Sequence, residues 1–330
     1  MNFDNTTILV TGGSGSFGRA FIKELFHNHN PKKVIIYSRD EMKHWHMQNQ
    51  LENDARLRFF IGDVRDKERL YSACKGVDYV VHAAALKIVP AAEYNPIECI
   101  NTNILGAVNV IEAASSQGVK RVVALSTDKA SAPINLYGAS KLCSDKLFIA
   151  ANSYGGGDGT RFSVVRYGNV MGSRGSVIPL FLSMREKKTL PITHQDMTRF
   201  MITLEQGIEL VNIALETMQG GEIYVKKIPS MKVVDIAKAI SPKCKLHFIG
   251  MRPGEKIHEQ MIGPENSPYT YEYDSYFKIF PEINLWRSNP YNYGDGKLVA
   301  QNYRYSSENN TDWMSQEQLL AYIDNAQFIE

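Results

Sequence analysis

The chain has 330 residues, 44% hydrophobic and 22% charged, with a formal net charge of +2. That supports one large or two moderate globular bodies with full cores, and it offers no broad field for nucleic acid or a membrane surface. Cys74, Cys99, Cys143 and Cys244 lie far apart with no CxxC pair, which argues against a metal site. With no leader pattern and no apolar run of bilayer length, a reducing, cytoplasmic location is expected.

Ile8-Leu9-Val10 runs into Thr11-Gly12-Gly13-Ser14-Gly15-Ser16-Phe17-Gly18, and a helical pattern follows through Phe21, Ile22, Leu25 and Phe26. A strand, a glycine turn and a helix in this order let backbone N–H groups approach a pyrophosphate at the positive helix end. Gly12, Gly15, Ser16, Phe17 and Gly18 are the expected cradle. Val34-Ile35-Ile36-Tyr37 is a second strand, ending in Ser38-Arg39-Asp40 with Lys43 close behind. Arg39 and Lys43 can pair with a 2′-phosphate and Ser38 can hydrogen-bond it, which favours NADP. Asp40 keeps NAD open, because an acid is present near the position that meets a ribose.

A third strand, Leu57–Ile61, leads to Asp63 and Val64, expected beside the adenine, and to Asp66, an expected N-cap. A fourth, from Val77 to Val81, ends in His82, read as a core histidine, and Ala83-Ala84-Ala85. Small residues there leave room for a flat cofactor beside Ala83. Lys87 follows, within reach of the nicotinamide ribose or the substrate. Pro96 opens a long amphipathic pattern through Ile97, Ile100, Ile104, Val108 and Ile111 to Gly118. Asn103 lies inside it, where an amide is unfavourable without a task, and it is placed with the cofactor contacts. A fifth strand runs from Arg121 to Leu125.

Five strand–helix alternations predict an α/β fold, a Rossmann-type doubly wound parallel sheet. A flexible loop at Gly155–Gly159 and a sixth strand at Arg161–Tyr167 follow, after which the alternation fails. The expected organisation is a dinucleotide-binding domain over 1–170 and a smaller substrate domain over 171–330, with chain crossing between them. A closing helix is expected near Gln316–Phe328.

The fifth strand ends in Ser126-Thr127-Asp128-Lys129, and Tyr137-x-x-x-Lys141 lies eight residues on. Tyr137 and Lys141 share one helix face. An ammonium there favours phenolate, so the oxygen can take a hydroxyl proton as hydride leaves for a nicotinamide. Asp128 and Lys129 add an acid and a base that simple alcohol oxidation does not need. Beside a new ketone they can remove an α-proton and protonate a departing hydroxyl. Lys129 would need a lowered pKa, from burial beside Lys141 and an oxidised nicotinamide.

Gly12-x-x-Gly15-x-x-Gly18 with Tyr137-x-x-x-Lys141 resembles the extended short-chain dehydrogenase/reductase family. Ser126-Thr127-Asp128-Lys129-Ala130, Tyr167-Gly168-Asn169, Met197-Thr198-Arg199-Phe200 and Arg252-Pro253-Gly254-Glu255-Lys256 resemble one subgroup, the inverting UDP-N-acetylglucosamine 4,6-dehydratases that open pseudaminic acid biosynthesis. The resemblance implies NADP, a UDP-sugar substrate and an internal hydride cycle. In it Tyr137 with Lys141 serves oxidation at C4, Lys129 takes the C5 proton, and Asp128, beside Thr127, assists loss of water from C6. It also implies that Lys87, Asn169, Val177, Arg199, Arg252 and Glu255 hold the substrate, and that the protein forms a homo-oligomer, often a hexamer in relatives. Ile88, Met201 and Lys226 depart from the usual pattern without removing a catalytic group. The competing readings are a UDP-hexose 4-epimerase, a capsule-type UDP-N-acetylglucosamine dehydratase/C5-epimerase and a non-catalytic NADP-sensing regulator. Tyrosine rather than methionine at 137 weighs against the capsule type.

Overall fold

The computed structural model describes residues 1–154, 159–173, 176–284 and 289–325. Its first half alternates as expected: β1 (Thr7–Thr11), α1 (Ser16–Asn28), β2 (Lys33–Ser38), α2 (Glu41–Gln50), β3 (Leu57–Ile61), α3 (Lys67–Ala73) and β4 (Tyr79–His82). Two short helices, α4 (Val89–Tyr94) and α5 (Pro96–Ile100), lead through a π-helical turn to α6 (Gly106–Ser116). Then come β5 (Arg121–Thr127), α7 (Leu136–Ala150) and β6 (Arg161–Tyr167). The strands are near-continuous apolar runs because helices cover both faces. Val80, Val81, Val122, Val123, Val164 and Val165 are all fully buried. Asp66 caps α3 as expected, its side chain accepting from the Arg69 N–H.

The second half begins with β7 (Asn169–Val170), α8 (Val177–Ser183), β8 (Thr189–Ile192), β9 (Thr198–Ile202), α9 (Leu204–Thr217), β10 (Ile223–Lys226) and β11 (Ser230–Lys232). It continues with α10 (Val233–Ile240), β12 (Lys245–Phe248), β13 (Gln260–Ile262), β14 (Thr270–Glu272), β15 (Tyr276–Ile279), β16 (Lys297–Leu298), β17 (Tyr305–Ser306) and α11 (Gln316–Asn325). The expected last residues of this helix, and most of the Gly155–Gly159 loop, lie outside the described residues.

Ten strands form the main sheet in the order β16-β14-β15-β10-β6-β5-β4-β1-β2-β3. From β3 to β10 every pairing is parallel, and β15, β14 and β16 add an antiparallel edge. The order reverses between β1 and β4, which opens a crevice beyond their carboxyl ends. β10 and the edge strands come from the second half, so the chain returns to the main sheet after residue 171. A second apolar core gathers Met171, Ile178, Phe181, Leu190, Ile192, Met197, Met201, Ile236 and Leu319. It is built on β7, β9 and β11 and on the β8–β12 pair.

The long helix expected from Pro96 forms without a break to Ser116, with Gly118 just past its end, but it carries a π turn at Asn101–Leu105 between α5 and α6. The inserted residue turns the downstream stripe by about 100° relative to the upstream one. Val110 and Ile111 therefore enter the core, while Ile97 (70%) and Ile100 (38%) face solvent.

Candidate active site

The β1–α1 turn is built for close backbone approach. Gly12 has φ +66°, and a Cβ there would lie 2.9 Å from the Ala84 nitrogen. The N-terminus of α1 begins after Gly15 with no side-chain cap, so the N–H groups of Ser16, Phe17 and Gly18 remain available to an anion. Ala83, at the end of β4, lines the same turn.

At the end of β2, the Ser38 hydroxyl lies 2.7 Å from the Ser14 hydroxyl and 2.5 Å from His44 Nε2. Arg39 and Lys43 are already engaged by carboxylates. Arg39 lies 3.5 Å from Asp63, and Lys43 lies 2.7 Å from Asp40. Asp40 also caps α2 by accepting from the Lys43 N–H. Asp63 pairs with Arg65 at 2.7 Å. Burial would raise its carboxyl, but Arg65 and then Arg39 hold it below the usual range. Asp63 thus orders arginines, and Val64 beside it is buried in the core. Ser14 and His44 were not legible as site residues, although a serine inside the glycine turn was a signal.

Asn103, expected among the cofactor contacts, is held by protein groups. It is buried, its Oδ1 accepts from the Leu86 N–H at 2.8 Å, and its Nδ2 donates to the Leu86 carbonyl and the Ser140 hydroxyl at 2.9 Å. It braces the segment that carries the exposed Lys87 and ties it to α7. His82 is the core histidine expected, 2.7 Å from the Thr11 hydroxyl and pushed down to about 3 by burial and then by the Lys141 charge.

The catalytic candidates meet where β5 ends. Residues 128–130 form a 3-10 turn, and α7 starts at Leu136 behind the Asn135 cap. A Cβ on Gly138 would run into the Lys129 carbonyl, so α7 lies directly against the turn and brings Tyr137 beside Lys129. Asp128 is fully buried, and Oδ1 accepts from the Thr127 hydroxyl at 2.9 Å and from Lys129 Nζ at 3.1 Å. Its Oδ2 has no partner among the described residues, so an acceptor is left for an incoming group.

In the protein without cofactor, burial alone would lower Lys129, but the Asp128 and Glu259 carboxylates outweigh burial and raise it. Tyr137 lies beside it. Burial pushes the phenol up to about 12, and the opposing influences are the Lys129 charge and a hydrogen bond with Thr127. Lys141 is buried and itself lowered by that burial, against the pull of Asp145. Asp145 accepts from Ser126 at 2.8 Å and pairs with Arg166 at 3.1 Å.

On the substrate side, Asn169 Oδ1 is buried without a partner among the described residues, and Val177 opens α8. Arg252 is exposed and pairs with Glu255 at 2.8 Å. Arg199 departs from the expected role. Its NH1 donates to the Thr198 and Ile257 carbonyls at 2.7 and 3.1 Å, and its NH2 to the Lys256 carbonyl at 3.1 Å. It clamps the 256–257 segment rather than presenting a free guanidinium. Asn135, unnoticed in the sequence, donates to the Gly254 carbonyl at 2.7 Å while capping α7, so it joins the start of the catalytic helix to the Arg252–Lys256 loop. Glu259 was also missed. It is 2% exposed and lies 3.3 Å from Lys129 Nζ. Its place two residues before buried Met261 was the available signal.

Comparison with known proteins agrees with this geometry. The family model described as polysaccharide biosynthesis protein matches residues 8–281. The chain is 52% identical over 332 residues to a UDP-N-acetylglucosamine 4,6-dehydratase (inverting) of Campylobacter jejuni, covering 98% of this chain and 99% of that one. It is 41% identical over 336 residues to a UDP-glucose 4-epimerase of Rickettsia bellii, covering 99% and 98%. Among solved structures, Pen from Bacillus thuringiensis superimposes with TM-score 0.91 at 36% identity, covering all of both chains. The dTDP-glucose 4,6-dehydratase DesIV of Streptomyces venezuelae, solved with NAD, gives 0.69 at 24% identity over 76% of this chain and 87% of that one, a likeness of fold alone. A matched model over most of the chain and full-length relatives leave one placement: the chain belongs to the polysaccharide biosynthesis protein family, within the extended short-chain dehydrogenases/reductases.

Proposed function

We propose that the protein is a UDP-N-acetylglucosamine 4,6-dehydratase that inverts C5, a hydro-lyase that yields UDP-2-acetamido-2,6-dideoxy-β-L-arabino-hex-4-ulose. The carrying observation is the buried Asp128–Lys129 pair beside Tyr137; the full-length likeness to an inverting dehydratase supports it. The cofactor is a nicotinamide dinucleotide, which fits the open α1 N-terminus and the Gly12 turn, and NADP is its finer assignment. Ser38, Arg39 and Lys43 would take the 2′-phosphate by exchanging exposed carboxylate partners for it. The bound nicotinamide supplies a hydride acceptor for C4 and a donor for C6.

The side chains supply the proton chemistry. Tyr137 first gives up its own proton to form the phenolate, which the Lys129 charge favours; the phenolate then takes the C4 hydroxyl proton and becomes phenol. Passing one proton from the Lys129 ammonium to Asp128, across 3.1 Å, creates the amine and the acid together. The amine then takes the C5 proton, and Asp128 gives its proton to the departing C6 oxygen, so one water leaves. Lys129 ends as ammonium and Asp128 as carboxylate; C5 takes a solvent-exchangeable proton on the opposite face, and Tyr137 releases the C4 hydroxyl proton, so the proton count closes on loss of one water. Lys87, Asn169, Val177, Arg252 and Glu255 form the sugar-nucleotide side, with Arg199 shaping their loop. The product would enter pseudaminic acid biosynthesis, in the cytoplasm, from a homo-oligomeric enzyme such as a hexamer.

Incubating the protein with UDP-N-acetylglucosamine in deuterated water tests this by mass spectrometry and NMR. The expected product has lost one water and carries deuterium at an inverted C5. The second reading, a 4-epimerase, is favoured by the likeness to the Rickettsia protein. An unchanged mass with an inverted C4 would establish it instead.

A further inference from the structure

We propose that Glu259 is a positioning residue for Lys129: as a second carboxylate beside Asp128 it holds the amine nitrogen and balances the ammonium formed when the C5 proton is taken. This rests on Lys129 being the base, as argued above. Glu259 Oε1 lies 3.3 Å from Lys129 Nζ and 3.9 Å from Arg199 Nε. Its Oε2 is buried without a partner among the described residues. The main chain at this position is fixed. The Glu259 N–H donates to Ser307 Oγ at 2.9 Å, and its carbonyl accepts from the Ser307 N–H at 2.8 Å. Ser307 Oγ in turn lies 2.6 Å from Thr198 Oγ1. A carboxylate buried this deeply is costly unless a charge answers it, and Lys129 is its nearer partner.

The consequence appears after Lys129 has passed its proton to Asp128. The neutral amine still has N–H groups, and one of them can donate to Glu259, which leaves the nitrogen lone pair free for another direction. With Asp128 protonated, Glu259 is then the anion that stabilises the returning ammonium. The charged and titratable groups facing Lys129 are Asp128 on its own turn, Tyr137 from α7, Arg199 from β9, and Lys256 and Glu259 from the segment before β13. Of these, Asp128 and Glu259 favour the ammonium and Arg199 opposes it.

The test is Glu259→Gln in the full-length enzyme loaded with cofactor, beside Glu259→Asp and Lys129→Met. The readouts are the pH profile of kcat and the rate of deuterium entry at C5. Glu259→Gln should lower kcat about tenfold and move its acidic limb by about one pH unit to lower pH, with KM little changed. Glu259→Asp, which keeps the charge, should keep the limb near its original place. A limb that stays put in Glu259→Gln overturns the proposal, as does a change in KM alone. If Lys129→Met still exchanges C5, the assignment of the base itself is wrong, a failure separate from that of Glu259.

Discussion

Two sets of ion pairs flank the proposed cofactor, and they differ in depth. At the end of β2, Arg39, Lys43 and Asp40 are 39% to 56% exposed and only Asp63 is half-buried. At the end of β5 both carboxylates, Asp128 and Glu259, are buried, at 0% and 3%, around a half-buried Lys129. Exposed pairs contribute little and exchange partners readily. Such pairs suit a place where a phosphate must displace a carboxylate. Buried pairs cannot be opened cheaply, and the inner cluster therefore governs where protons reside. In the function proposed above, the outer set selects a ligand and the inner set performs chemistry on one.

The largest expected effect tests the inner set. Asp128→Asn keeps the shape but removes the acid, so dehydration should slow by about a hundredfold or more. Solvent deuterium entry at C5 should fall with it, because Lys129 becomes an amine by passing its proton to Asp128. C5 exchange that persists at the wild-type rate would show that Lys129 does not become a base through Asp128. A smaller effect is expected at the outer set. Arg39→Ala should weaken NADP binding about tenfold or more and leave NAD binding nearly unchanged, as measured by titration of both cofactors. Equal losses would show that Arg39 does not meet the 2′-phosphate.

The first six strands were legible because each is a short apolar run closed by turn residues and followed by a helical period. The second core was not. β8 pairs with β12, and β7 with β9, across long stretches of chain, and no local pattern announces such pairing. The candidate site divides the same way. Gly12, Asp128, Lys129 and Tyr137 stand in compact motifs, whereas Glu259 reaches Lys129 from 130 positions away. The raised basicity of Lys129 in the protein without cofactor has the same origin, since its second carboxylate could not be placed from sequence. Asn103 showed that it needed a task, and only the fold revealed that the task was Leu86.

The smallest expected effect lies between the two sets, at His82. Its folded-state pKa is about 3 against an ordinary 6.5, so it stays neutral when folded and gains a proton when unfolded. Its contribution is complete above pH 6.5 and is lost as pH falls toward 3, by about 1.4 kcal/mol per unit. Buried His44 is shifted in the same direction. Denaturant unfolding at pH 7.5 and 5.5 should show the wild type losing more stability than His82→Asn. Equal losses would mean that His82 is protonated in the folded protein.

The contact between Gly138 and the Lys129 carbonyl has a broader consequence. It fixes the spacing of turn and helix by main chain against main chain, with no side chain as spacer. Positions 128, 129 and 137 are thus tool holders on a common mount. Exchanging what they carry changes the reaction while the mount keeps its dimensions, which is how one architecture can serve both dehydration and epimerisation of nucleotide sugars.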